Sequence, residues 1–197
     1  MIKAILIVLA LSPVSAEAGW LLWEAPAYIP APPDEKEIRS VEEAPLCLPP
    51  NALLSGKPGT ELELDAVFEG EAGRLRDFLG GAGFEETPYG FKGSFFAALT
   101  QLFSARFPTR FPPAPKWVAA GRPQDFSFLR LRAGGREGVY LWRLSCRTKK
   151  APLWAAGETA SGGKSIWAEL RGKAQKSRAL KIKARLTGKN LELFTLP

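Results

Sequence analysis

Histidine is absent from this 197-residue chain, and that one absence removes several chemistries together. There is no imidazole for Ser-His-Asp or Cys-His nucleophilic catalysis, for acid–base work, or for metal ligation. Cysteine is nearly as scarce, with Cys47 and Cys146 the only two. Two thiols without an imidazole do not make a structural zinc site, which takes four such ligands. No metal and no cofactor is expected. Long apolar runs are missing as well. Ala4 to Leu11 is a short apolar run, far below the ~20 residues of a bilayer-spanning helix.

That short run has a different meaning in its context. Lys3 precedes it, Ser12-Pro13 breaks it, and Ala16-Glu17-Ala18 sets small residues where a signal peptidase reads. The pattern predicts a signal peptide over residues 1–18, cleaved before Gly19, and no transmembrane segment thereafter. Cleavage after Ala16 is the near alternative. Another is an uncleaved anchor extended by Gly19-Trp20-Leu21-Leu22-Trp23, which Pro13, Ser15 and Glu17 interrupt. No cysteine lies near the break, so a lipid anchor is not expected. A periplasmic or secreted location follows. In an oxidising compartment Cys47 and Cys146 are expected to bond, the alternative being two buried free thiols.

Loss of residues 1–18 removes one lysine and one glutamate, so the formal charge stays +7. About 180 residues remain, enough for one sizeable core and few for two domains. Residues 19–60 read as a proline-rich extension: Pro26, Pro30, Pro32-Pro33, Pro45, Pro49-Pro50 and Pro58 exclude long helices and central strands. Residues 61–197 form the expected domain. Glu61 to Phe68 alternates as one half-buried strand, and Glu71 to Leu79 has helical spacing stopped at Gly80-Gly81. Gly93 to Phe103 predicts a helix capped by Ser94, with Phe95, Phe96, Leu99, Leu102 and Phe103 on its apolar face. Strands are expected at Trp117–Ala120, Phe126–Leu131, Val139–Leu144, Leu153–Ala156, Arg178–Leu186 and from Leu191. The sum is one α+β domain, early helices packed on a mainly antiparallel sheet.

Several stretches taken together carry a family resemblance. They are LDAVFEG from Leu64, GAGF from Gly81, SFFAALTQLFSARFPTRFPPAPKW from Ser94, AAGRPQDFSF from Ala119, VYLWRL from Val139 and PLWAAGETASGG from Pro152. In this order they resemble the C-terminal domain of LssY-type proteins, the GRPQD corner followed by the LWR strand being the most specific part. The resemblance spans about half of the chain and implies a domain of unknown activity. In larger relatives it follows membrane segments of DedA-like and phosphatidic-acid-phosphatase-like types, which this chain lacks. Beyond Gly163, where relatives tend to carry histidines and acids, this chain has Lys and Arg.

The resemblance singles out Arg122, Gln124, Asp125 and Arg143. Guanidinium groups there could line an anion pocket; alternatively Asp125 and Arg122 pair across a tight turn and tie down the next strand. The Gly157–Ser165 stretch is not a phosphate-binding loop, because Glu158 stands where a Walker A motif needs its first glycine. Lys164 with Ser161 or Ser165 invites a Ser-Lys dyad, and Glu158, Glu169 and Asp125 a carboxylate pair, but sequence adjacency places neither. No catalytic residue is assigned.

The strongest physical signal is basic. Arg171, Lys173, Lys176, Arg178, Lys181, Lys183, Arg185 and Lys189 occur without an intervening acid. On a strand, Lys181, Lys183 and Arg185 would repeat at about 7 Å, a spacing suited to a polyanion. The expected partner is an anionic lipid, lipopolysaccharide or an acidic protein surface, not nucleic acid; a plain solvent-facing, lysine-protected strand is the alternative. The sequence thus leaves two functions: a non-catalytic envelope module binding an anionic partner, or a histidine-independent periplasmic hydrolase.

Overall fold

The computed structural model describes residues 32–40, 43–44, 47–49, 51–103, 112–160, 164–173, 179–183 and 190–196. The expected signal peptide and its cleavage site lie outside them. In chain order come β1 (Lys36–Glu37), β2 (Asn51–Leu54), β3 (Glu61–Glu63), β4 (Ala66–Glu69), α1 (Ala72–Gly81), β5 (Glu85–Glu86) and α2 (Phe91–Phe103). Then follow β6 (Trp117–Ala119), β7 (Arg122–Pro123), β8 (Phe126–Arg132), β9 (Gly135–Arg147), β10 (Pro152–Thr159), α3 (Ile166–Lys173), β11 (Ala179–Lys183) and β12 (Asn190–Thr195).

Successive residues of a strand face opposite sides of its sheet, and in the larger sheet both sides are buried. Its order is β11-β12-β4-β10-β9-β8-β5, with β1 alongside β9; β3-β2-β6-β7 make a second sheet. Only the β12–β4 and β1–β9 pairings are parallel among the described strands. Phe68, Leu141, Trp154 and Phe194 share one core with Leu75 and Leu79 of α1 and Trp167 and Leu170 of α3. Val67, Tyr140, Trp142 and Leu153 share the other with Leu62 and Ala52 of the second sheet, Trp117 and Ala119. A strand covered on both faces needs no alternation, and β10 is buried continuously from Pro152 to Gly157.

The α+β class agrees with the sequence reading, while several of its details differ. Residues 51–54, assigned above to the extension, form β2 between β3 and β6. Pro49 and Pro58 flank that strand without entering it, so no ladder N–H is lost to them. The single strand expected over Glu61–Phe68 is two strands in different sheets. Asp65 lies at the crossing, its N–H donating to the Ala156 carbonyl at 3.1 Å and its carbonyl accepting from Glu192 N–H at 2.8 Å. The first helix runs through Gly80-Gly81 and ends one step later, where Gly83 takes a φ of 83° and its N–H caps Gly80. A third helix, α3, falls in the half read as strands. The second helix is turned opposite to expectation: Ser94, Ala97, Ala98 and Gln101 are buried, while Phe91, Phe95, Leu102 and Phe103 face out. Gln101 fixes this orientation by donating its amide to the Glu85 carboxylate on β5. No α2 side chain belongs to either core, so of the two early helices only α1 packs there.

Cys47 and Cys146 form a disulfide, their Cα atoms 6.2 Å apart. Cys146 also stands opposite Lys36 in the β1–β9 ladder. No described helix is long and apolar enough to cross a membrane.

Candidate functional site

The GRPQD corner begins as a two-residue hairpin. Ala119 pairs with Arg122, and Ala120 and Gly121 between them have φ values of 48° and 77°, the left-handed backbone of a type I′ turn. Gln124 then turns inward and is almost wholly buried. Its Oε1 accepts from Trp117 N–H at 2.8 Å, and its Nε2 donates to the Pro115 carbonyl at 2.7 Å and Ser127 Oγ at 3.1 Å. These three bonds fasten the entry of β6 to β8. Asp125 Oδ2 accepts the backbone N–H of Arg143 at 2.6 Å, and Asp125 N–H donates to the Leu141 carbonyl at 2.8 Å. Burial pushes the Asp125 carboxyl up, against the opposing pull of that N–H and of the Arg122 and Arg143 charges.

The structure therefore brings Arg122, Gln124 and Asp125 together and joins Arg143 to them by its backbone. Arg122 Nη2 is 3.6 Å from Asp125 Oδ1 and half exposed. The Arg143 guanidinium instead meets Glu35 Oε1 at 3.0 Å, in a nearly buried pair that holds the residues before β1. The geometry is that of a locked corner.

The carboxylates considered from sequence are scattered. Asp125 sits at the corner, and Glu169 joins a cation cluster described below. Glu158, the last residue but one of β10, caps α3, its Oε2 accepting Trp167 N–H at 3.1 Å. Burial raises the Glu158 carboxyl, while the Ser165 hydroxyl and the α3 amides hold it down. Ser165 thus serves Glu158, and Ser161 lies outside the described residues. The Glu158 charge is felt at Asp65, a residue unforeseen in the sequence. Trp167 Nε1 donates to Asp65 Oδ1 at 2.8 Å, and burial, reinforced by the Glu158 charge, pushes Asp65 up to about 6.

Arg130 and Glu137 were likewise missed. Arg130 follows Phe126 and Phe128 on the same face of β8, a core position, and is 7% exposed. Its Nε donates to Glu137 Oε2 at 2.7 Å, and Nη1 to the Ala82 carbonyl at 3.0 Å and Glu169 Oε1 at 2.9 Å. Its guanidinium also lies 4.2 Å from the Phe84 ring centroid. Burial alone would lower the Arg130 pKa, and the Glu169 and Glu137 bonds more than reverse this. An open cleft of about 450 Å³ crosses this cluster beside Ala82, Glu85 and Arg132. Among the described residues no three Asp, Glu or Cys side chains are grouped to hold a metal ion.

Of the basic strand, Lys181 and Lys183 lie on β11, the edge of the large sheet, in register with Glu192 and Asn190 of β12. Arg185 lies outside the described residues. Arg171 on α3 pairs with Glu192, 3.3 Å from Nε to Oε2.

Fold and site define an α+β domain of two packed sheets whose buried polar groups brace its corners and joints. Comparison of the chain with family models, curated proteins and solved structures finds no match.

Proposed function

We propose that this chain is an exported cell-envelope domain that binds an anionic partner, acting as a binding or accessory module without chemistry of its own. One observation carries the reading. Gln124, Asp125, Arg143 and Glu158 are engaged in bonds that hold the fold, whereas Lys92, Lys116, Lys149, Lys150 and Lys164 are exposed on a chain of net charge +7. Lys181 and Lys183 lie on the backbone of edge strand β11. Anionic lipid, lipopolysaccharide and acidic protein surfaces share the chemistry such a surface selects. The disulfide suits an oxidising compartment, supporting a periplasmic or secreted location. The corner and the LWR strand are the basis for grouping the domain with LssY-type C-terminal domains.

The test is sedimentation with anionic vesicles. Binding at low salt that disappears at ~0.5 M supports the reading, since exposed charges are screened within a few ångströms there. A second reading, a histidine-independent hydrolase, is favoured by the raised Asp65 beside Glu158. Absence of vesicle binding, with substrate turnover abolished by Glu158→Ala, selects it instead.

A further inference from the structure

The outward face of α2 is apolar where a surface helix is normally polar. Phe91 is 65% exposed, Phe95 43%, Leu102 55% and Phe103 74%, and Tyr89 just before the helix is 41% exposed. Phe91 and Phe95 stack with centroids 6.2 Å apart, and Phe95 meets Phe96 edge-on at 5.7 Å. At 100° per residue, Phe91, Leu102, Phe95, Leu99 and Phe103 sweep one broad arc. The residues buried against the protein, Ser94, Ala97, Ala98 and Gln101, occupy the opposite arc. Contiguous exposed apolar surface of this kind marks a place where something else supplies the cover.

We infer that this face inserts into the interfacial region of an anionic lipid bilayer, with α2 lying in the membrane plane. Charge selects lipid over other occupants. The helix has no acidic residue, and its single charge, exposed Lys92, lies within the apolar arc. A lysine there keeps its ammonium at the headgroups while its methylenes follow the ring faces inward. Exposed Lys116 adds a second cation beside the patch, Nζ 5.9 Å from the Tyr89 ring centroid. A phenylalanine- and leucine-rich face that carries one lysine, with a second beside it, suits a helix lying about 5–10 Å into a headgroup boundary. At 13 residues the helix is about 20 Å long, able to lie on a bilayer and too short to cross one. The inference rests on the anionic-partner reading and supplies its target and the surface that engages it.

The exported protein should be sedimented with vesicles containing phosphatidylglycerol and with neutral phosphatidylcholine vesicles. Phe91→Ser/Phe95→Ser/Phe103→Ser is compared alongside, its fold checked by near-UV circular dichroism, and Phe103→Glu alone is the second variant. The expected result is a loss of partitioning to anionic vesicles of about 30-fold or more for the triple variant and about 10-fold for Phe103→Glu. Amide exchange over 91–103 should slow when anionic vesicles are added. Unchanged partitioning of the folded variants overturns the insertion while leaving the anionic-partner reading intact. Equal, salt-insensitive binding to both vesicle types that the variants lose keeps the insertion and overturns that reading. A dimer in solution that the triple variant dissociates, with no lipid binding, overturns the lipid assignment in favour of a second copy.

Discussion

The Trp167 indole N–H donates to Asp65 Oδ1 at 2.8 Å, joining α3 to the point where the chain passes from one sheet to the other. Asp65 is held near 6 mainly by burial, whereas an unfolded aspartate titrates at ~3.9. Between these values the folded state binds more protons than the unfolded one. Stability from this group is therefore complete below about pH 4, falls as pH rises toward 6, and is level above that. Asp65→Asn keeps an oxygen for the indole and removes the ionisation. At pH 7 it should stabilise by about 1–2 kcal/mol, a value reduced for partial solvent access. Urea unfolding at pH 4, 5.5 and 7 reads the change in slope. Glu158 and Asp125 are raised in the same direction, so a shallower residual slope should remain. A variant with the wild-type slope rules the assignment out.

The disulfide and β1 hold the same piece of chain. Cys146 is bonded to Cys47 and stands opposite Lys36 in the ladder, and Arg143 on the same strand grips Glu35. Closing a loop across 99 positions is worth up to ~4.7 kcal/mol in the chain-entropy model. Cys47→Ala with Cys146→Ala should cost about 2–5 kcal/mol. Limited proteolysis should then cut within residues 32–49, β1 included, before any other strand of the large sheet. Identical urea midpoints with and without reductant for the wild-type protein exclude the bond.

At Gly157 the large sheet packs tightly against β3 of the second sheet. A Cβ built there meets the Glu63 carbonyl oxygen at 2.7 Å and Leu62 Cγ at 2.8 Å. The oxygen belongs to backbone in β3, so it yields only if a strand moves. Gly157→Ala should destabilise by about 1–3 kcal/mol through overpacking, measured by thermal unfolding. Gly73→Ala, a helix site with nothing near its added carbon, is the matched control and should leave stability equal or higher. Equal losses at the two positions remove the packing explanation.

How far such features show in the sequence depends on whether their cause is local. The β8 and β9 strands were legible because their residues carry the composition and turn signals themselves, and β10 because its apolar run is short and bounded. The expected strand Leu153–Ala156 stops short of Gly157 because what requires a glycine there, the Glu63 carbonyl, is far away in sequence. Helix α2 was legible as a helix, since its spacing is intrinsic. Its orientation was not, because apolar periodicity states which residues share a face and not which face meets the protein; Gln101 and Glu85 decide that through a tertiary bond. Arg130 could have been found, being the polar residue in the Phe126-Phe128 row, whose burial demands a partner. Asp65 left no trace, because it falls on the polar side of the Glu61–Phe68 alternation and its burial comes from packing against residues distant in sequence. The corner's Gln124 and Asp125 were named by resemblance, and only the hydrogen bonds identify their task.

Arg130 and Glu137 test whether the buried ion cluster is a brace or a liability. They are cross-strand partners in the β8–β9 ladder, and both side chains are more than nine-tenths buried. Arg130→Ala takes the 2.7 Å partner from the buried Glu137 carboxylate and leaves it Arg132 at 3.6 Å, so the cost should fall toward the low end of about 3–5 kcal/mol. Part of that loss is the buried charge left less well compensated rather than the missing bond. Arg130→Met with Glu137→Leu removes both charges and fills the space with apolar volume, so it should recover much of the stability. Glu169 is more exposed and keeps Arg132 as a partner at 2.9 Å, so it tolerates the change. Urea unfolding of both single variants and the double gives the coupling. A double variant as unstable as the sum of the singles would mean that the ion pair is not the unit that matters. The contacts of Arg130 to the Ala82 carbonyl and the Phe84 ring, which tie the end of α1 to the sheet, would then account for its burial.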